Sequence, residues 1–136
     1  MENFEDRSKL KSIPEKLTDR LFRFSVSVIK FLANLPSLPE FNNIRYQLSK
    51  ASTSSGANYE EAQAASSKPD FINKVEISLK EMRESNYWLR IIDETVELKE
   101  DKFQELKYLI IESAELKLIL GNIIVKSKSN IQVKDT

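Results

Sequence analysis

The sequence contains no cysteine and no histidine. Without cysteine it has no disulfide, no thiol nucleophile and no thiolate ligand for a metal. Without histidine it lacks the usual general base near neutral pH and the commonest zinc ligand. Carboxylate-only metal sites stay open, but the Glu-x-x-His pairs of di-iron bundles are absent. We therefore predict a protein that is not an enzyme and that carries no cofactor.

Glycine and proline are also scarce, at two and four in 136 residues. An all-β chain of this length would need many more turn residues, and a glycine-rich phosphate loop is excluded. No apolar run approaches the roughly 20 residues that span a bilayer. The polar N-terminal residues also lack the apolar segment of a secretion signal. We expect a cytoplasmic protein with no membrane contact.

The charges balance, with 21 basic and 21 acidic residues. No segment forms the cationic block that strong, non-specific nucleic-acid binding normally needs. A composition of 40% apolar and 31% charged residues is typical of one helical domain that buries a substantial core.

Apolar residues return along the chain at alternating steps of three and four, the spacing of helices in a bundle. This pattern predicts a bundle over residues 14–126, between a polar leader (1–13) and a polar tail (127–136). The predicted helices are residues 15–35, 39–66, 69–98 and 101–126. Because the links are short, successive helices run antiparallel. The predicted fold is an all-α, antiparallel, up-down-up-down four-helix bundle.

The second helix crosses a serine-rich run, Ser52–Gly56, whose composition also suits a flexible linker. The three-and-four spacing nevertheless continues through it, and a linker has no reason to preserve that phase. If this run is helical, its poor helix propensity costs about 3 kcal/mol relative to a run of alanine. Small side chains let helices approach closely, and the resulting dispersion contacts offset this cost. We predict a continuous helix.

The first and fourth helices carry more apolar residues than one narrow stripe along a helix contains. The apolar stripe of the first helix is Leu17, Leu21, Phe24, Val28, Phe31 and Leu35. Phe22, Val26 and Ile29 widen this stripe, which suggests contact with more than one neighbouring helix. One face of the fourth helix carries Phe103, Leu106, Ile110, Ala114, Leu118, Gly121 and Val125. Further apolar residues lie on its other faces, so we predict a partner interface there. The alternative is a helix buried deeply within one monomer.

Asn86 falls on the apolar seam of the third helix, where burial without partners would cost about 1–3 kcal/mol. It should therefore be hydrogen-bonded, with Asn58 on the second helix as the candidate partner. A seam asparagine fixes register and oligomeric state at some cost in stability. A ligand contact is the alternative role.

Several residues together resemble a known family. They are Arg45, Gln47, Leu48, Lys50, Ala51, Thr53, Ser54, Asn58, Tyr59, Glu61, Ala62, Ser67, Asp70, Phe71, Lys80, Glu81, Glu84, Tyr87, Trp88 and Leu89. In this order they resemble the bacterial four-helix-bundle proteins that are encoded by intervening sequences in 23S rRNA genes and often labelled ribosomal proteins. The match is dense over residues 45–92 and looser over roughly 17–125. The chain departs from the commonest pattern at Ser55-Gly56, where many members have a bulky residue and proline.

The resemblance implies a ring-like homopentamer whose biochemical role is unsettled. A related pentameric bundle is the accessory protein of diversity-generating retroelements, which binds a reverse transcriptase and nucleic acid through a basic surface. The first hypothesis is thus a non-enzymatic homo-oligomer whose main partner is itself. The alternative is an RNA-binding accessory protein that acts with ribosomal RNA or a reverse transcriptase.

Two sets of residues are candidates for these roles. The candidate structural or interface residues are Asn58, Tyr59, Glu61, Arg83, Glu84, Asn86, Tyr87 and Trp88. Tryptophan, tyrosine and arginine are frequent at interface hot spots, although they also stack on bases or pack within a chain. Glu61 is expected in an ion pair with Arg45 or Arg83, or at a cation. The candidate nucleic-acid contacts are Lys9, Lys11, Lys16, Arg20, Arg23, Arg45 and Lys50. The alternative for these cations is an ordinary solvated face.

Overall fold

The computed structural model describes residues 15–135 and the side chains of residues 15–130. Its four α-helices are α1 (Leu17–Phe31), α2 (Pro39–Gln63), α3 (Lys68–Thr95) and α4 (Glu100–Asp135). A short 3-10 turn, Leu32–Asn34, follows α1. The described residues contain no strand, and the predicted all-α class is confirmed.

Each helix packs on the helix before it and the helix after it, and α1 also contacts α4, which closes the bundle. The packing is closest between α2 and α3 and between α3 and α4. Because the links are too short for a crossover, neighbouring helices run antiparallel. The up-down-up-down bundle is as predicted.

Proline and short polar side chains fix the helix starts. Pro39 and Pro69 occupy the first turns of α2 and α3, where no amide hydrogen is needed. Ser67 Oγ accepts a hydrogen bond from the Asp70 amide at 3.2 Å, which caps α3. The Asp70 carboxylate in turn accepts a hydrogen bond from the Ser66 amide at 3.3 Å.

The fourth helix continues to Asp135, past its predicted end at residue 126. Ile124 and Ser127 are buried, and Lys128 Nζ lies 2.8 Å from Glu76 Oε1 on α3. The polar residues of this segment therefore still pack on a neighbouring helix, and the backbone stays helical. The predicted leader, residues 1–13, lies outside the described residues.

The core of the bundle matches the predicted stripe of α1 well. On α1 the predicted residues Leu21, Phe24, Val28 and Phe31 are buried. Buried side chains from the other helices complete the core: Leu48, Val75, Met82, Leu89, Ile92, Leu106, Leu109, Leu116 and Leu120. Apolar burial of this kind is the main term that stabilises the fold.

The apolar face of α4 that runs from Phe103 to Val125 is only partly buried. Its Leu118 and Val125 are exposed, whereas Leu109 and Leu120, on other faces, are buried. The buried stripe includes Glu112 and Ser113. Because these two residues are polar, the stripe is not evident from the spacing of hydrophobic residues. Much of the apolar excess predicted for this helix therefore lies inside the monomer, and a narrower exposed set remains.

The serine-rich run is helical throughout, as predicted. Ser55 and Ser78, both fully buried, bond reciprocally across α2 and α3. Ser55 Oγ donates to the Ser78 carbonyl at 2.8 Å, and Ser78 Oγ donates to the Ser55 carbonyl at 2.7 Å. Ser25 of α1 donates to the Ser52 carbonyl of α2 at 2.8 Å. Small hydroxyl side chains thus join three helices at close range and offset the poor helix propensity of the run.

We expect Ser55→Ala to lower the free energy of unfolding by about 1 kcal/mol, because it removes one interhelical hydrogen bond. Ser55→Val should cost more, about 2–3 kcal/mol, because the added methyl group must enter a closely packed seam. Urea denaturation at one fixed protein concentration measures both changes. A valine variant as stable as the alanine variant would contradict the close approach of α2 and α3.

Candidate functional site

A row of branched apolar side chains on α4 faces outward. Ile111, Leu118 and Val125 are spaced seven residues apart and are 65%, 69% and 67% exposed. We call these three residues the α4 ridge. At 1.5 Å per residue the ridge runs for about 21 Å along one side of the helix. Between them on the same side of α4 lie the exposed residues Glu115 and Asn122, so the ridge presents one apolar side chain at every second turn.

A second exposed apolar surface lies between α1 and α2. It is a groove of about 320 Å³ lined by Thr18, Phe22, Ser25, Val26, Ile29, Thr53, Gly56, Ala57 and Glu60. We call it the α1–α2 groove. Phe22, Val26 and Ile29 form its α1 side, and Phe22 is 66% exposed. Within residues 15–130, Phe22, Val26 and Ile29 stay exposed along this edge, although α1 does contact both α2 and α4.

A third depression, of about 560 Å³, lies between α1 and the start of α4. It is lined by Ser27, Lys30, Phe31, Asp101, Lys102, Gln104, Glu105, Tyr108 and Leu109. Its two lysines are balanced by two carboxylates, so the charge of the depression favours neither an anion nor a cation.

An ion pair that the sequence analysis missed joins α1 to α4. The Arg20 guanidinium donates to Glu112 through Nη2 at 2.6 Å and through Nε at 3.0 Å, and Nη2 also lies 2.9 Å from Glu115. The bond to Glu112 is the main reason that the pKa of Arg20 rises above its ordinary value. Burial, with the nearby Glu112 charge, raises the pKa of Tyr108. In the sequence, this ion pair is indicated only by the position of Glu112 within the largely apolar segment of α4.

The predicted nucleic-acid contacts do not form one open cationic surface. Arg20 is held by α4, and Arg23 Nη2 lies 2.8 Å from Glu15. Arg45 donates to the Leu35 and Pro36 carbonyls and so holds the α1–α2 link. Lys16, just before α1, and Lys50, on α2, are exposed, and Lys9 and Lys11 lie outside the described residues. Most of the described cations in this set therefore have partners within the chain.

Asn86 is hydrogen-bonded as predicted, but the expected partner is wrong. Its Nδ2 donates to Ser113 Oγ at 2.9 Å and to the Ile110 carbonyl at 3.3 Å, both on α4. Asn58 instead donates to Ser54 within its own helix. The cause is the position of α3 between α2 and α4, since Asn86 lies on the side that faces α4.

The aromatic residues of α3 form a small surface cluster near its C-terminal end. Tyr87 and Trp88 pack edge to face, with ring centroids 5.4 Å apart, and the Arg90 guanidinium lies 5.9 Å from the Tyr87 centroid. Trp88 Nε1 donates to Glu84 at 3.3 Å. Trp88 is half-buried, whereas Tyr87 and Arg83 are exposed. The interface role predicted for these residues stays a prediction.

Glu61 makes an ion pair, although its partner differs from those predicted. Its carboxylate lies 3.4 Å from Lys74 Nζ on α3, rather than beside Arg45 or Arg83. Tyr59 is half-buried against the core. The described residues contain no cluster of carboxylates suited to a metal ion. Within the same part of the chain, no helix combines the length and apolar character needed to cross a membrane.

The fold is an all-α four-helix bundle whose apolar core also contains buried serines. Its surface carries two exposed apolar regions. The family model described as the 23S rRNA-intervening sequence protein matches residues 16–118. The chain therefore belongs to the 23S rRNA-intervening sequence protein family, as the resemblance implied.

A solved structure is similar over most of both chains. It is the crystal structure of a protein of unknown function from the S23 ribosomal protein family of Bacteroides thetaiotaomicron VPI-5482. The two chains are 32% identical and superpose with a TM-score of 0.68, over 80% of this chain and 98% of that one. No curated protein matches this chain at a significant level.

We expect Glu112→Gln to lower the free energy of unfolding by about 2 kcal/mol, because it weakens a partly buried, charge-assisted pair of hydrogen bonds. Glu115→Gln is the matched control on the same helix. Its carboxylate is 56% exposed, against 11% for Glu112, so its loss should cost less than about 1 kcal/mol. Urea denaturation of both variants measures the difference. Equal losses would show that burial does not strengthen the Arg20–Glu112 contact.

Glu81→Gln should raise the melting temperature at pH 7 and leave it unchanged below pH 4. Burial, and then the neighbouring Glu84 charge, raise the pKa of Glu81. A raised carboxyl pKa adds stability at low pH, and that stability is lost as the pH rises through the folded-state pKa. Glutamine does not ionise, so the variant keeps this stability at high pH. Thermal unfolding at several pH values tests this, and a gain at low pH alone would contradict it.

Proposed function

We propose that this protein is a non-enzymatic subunit of a homo-oligomer. The α4 ridge is the observation that carries the proposal. Its three side chains remain exposed, whereas Leu106, Leu109, Leu116, Leu120 and Ile124 of the same helix are buried in the core. The resemblance noted above implies five subunits, so the expected assembly is a ring with about five times the 15.7 kDa chain mass.

The energy of covering this surface supports the proposal. Burying a valine, leucine or isoleucine side chain contributes about 1.5–3 kcal/mol. Three such residues, repeated at each interface, supply several kcal/mol toward the entropy lost on association. A closed ring adds to this, because every subunit uses its surfaces in full and none is left at an open end.

An RNA-binding accessory role is the alternative, and the family description is its main support. The charges favour it less. The chain has a net charge of zero, and Arg20, Arg23 and Arg45 are engaged by partners of the same chain. An RNA-binding role would require cations that are free to neutralise phosphates.

The mass of the purified protein, measured by light scattering at micromolar concentration, tests the proposal. We expect an oligomer for the natural sequence and a large shift toward monomer for Leu118→Glu, because a charge at the centre of a buried apolar contact is costly. Tyr46→Glu on α2 is the matched control, since Tyr46 is 64% exposed but lies outside both apolar surfaces. A natural sequence that is monomeric would remove the proposal.

The same preparation, purified without nuclease, distinguishes the RNA alternative. The proposed subunit should show a 260/280 nm absorbance ratio typical of protein alone. A high ratio that falls as salt is added would favour the accessory role, because phosphate contacts weaken steeply with salt.

A further inference from the structure

The α4 ridge and the α1–α2 groove have complementary shapes. The ridge is convex, with one branched side chain every second turn of α4. The groove is concave, and small residues of α2 (Thr53, Gly56 and Ala57) line its far side. A row of side chains on one helix packs well into a groove beside another helix. The two surfaces share no residue, so one chain can use both at once.

The charges beside the two surfaces are also complementary. Glu60 lines the groove, and Asp19 lines the depression that adjoins it at Phe22 and Val26, where Arg23 is paired with Glu15. On α4, Lys117 and Lys126 lie about 100° around the helix from Leu118 and Val125, at the edges of the ridge, and Glu115 between Ile111 and Leu118 is paired with Arg20. Among residues 15–130, Glu60, Asp19, Lys117 and Lys126 are in no ion pair. Opposite charges at the edges of an apolar contact favour one orientation of approach.

A ridge-to-groove contact also covers more apolar surface than a two-fold contact. Two ridges packed together would leave the α1–α2 groove of each copy open to water, and two grooves packed together would leave both ridges open. One contact of the ridge-to-groove kind covers both surfaces of every copy in a ring. Head-to-tail contacts of this kind repeat around a closed ring, or along a filament if the rotation does not close.

We propose that a second copy of this chain occupies the α1–α2 groove with its α4 ridge. This inference rests on the proposed function, since it names the two surfaces that would form the subunit interface. Each copy offers its ridge to one neighbour and its groove to another, so the interface is head-to-tail.

Two variants test the pairing. Val26→Glu places a charge in the groove and leaves the ridge intact, and Leu118→Glu does the reverse. Each variant alone should be monomeric, because every interface would contain one blocked surface. Mixed in equal amounts, they should form a species of twice the 15.7 kDa chain mass, since one intact ridge then meets one intact groove. Circular dichroism shows whether each variant is folded.

The possible outcomes separate this inference from the proposed function. A monomeric natural sequence overturns both. An oligomeric natural sequence whose Val26→Glu variant keeps its mass overturns the inference alone, because the groove is then outside the interface. That result is also expected if two ridges pack together or if the segment before residue 15 covers the groove. A mixture that stays monomeric overturns the inference as well.

Disulfide trapping gives a second measurement that does not require a blocked surface. The chain has no cysteine, so introduced thiols have no background. Chains carrying Ala57→Cys and chains carrying Leu118→Cys, one of them tagged to differ in size, are mixed and oxidised. The mixed-size disulfide should exceed either same-size product by several fold. A dominant same-size product from Leu118→Cys would overturn the head-to-tail pairing.

Discussion

The reciprocal hydrogen bonds between Ser55 and Ser78 are the contact on which the rest of the bundle depends. Each hydroxyl donates to the backbone of the opposite helix, which is possible only where α2 and α3 lie close together. In the described residues, no buried side-chain nitrogen or oxygen lacks a hydrogen-bond partner. This contact gives a serine-rich segment a reason to be helical, because close packing offsets its weak propensity. It also fixes the register of α2 against α3, and thereby the faces that remain for α1 and α4.

The first helix is held differently from the other three. Its core stripe is apolar, but its ties to its neighbours include Ser25 to α2 and the Arg20 ion pair to α4. A partly buried ion pair gains less net free energy than apolar packing, because desolvation opposes the attraction of the charges. Such a pair nevertheless orients α1, since a guanidinium that contacts two carboxylates accepts few arrangements. With its position fixed in this way, α1 leaves Phe22, Val26 and Ile29 along an open edge beside α2.

The exposed apolar surfaces follow from the same packing. Once Glu112 and Ser113 turn inward, where Arg20 and Asn86 satisfy them, the helical period places Ile111, Leu118 and Val125 outward. Polar contacts inside the bundle therefore determine which apolar residues are left for a partner. Arg20 and Arg45 likewise serve the monomer's own packing and links.

The sequence by itself determined the number of helices, the approximate ends of the first three, the continuous path of α2 and the core stripe of α1. These features depend on local spacing, on proline and on capping residues, all of which act over a few positions. Only the tertiary structure decided the core face of α4, the partner of Asn86, and the Arg20–Glu112 pair. A helix that is apolar on most sides has no single preferred stripe, so its orientation is set by its neighbours. A polar side chain likewise bonds whichever group the packing brings within reach, and that group lies far away along the chain.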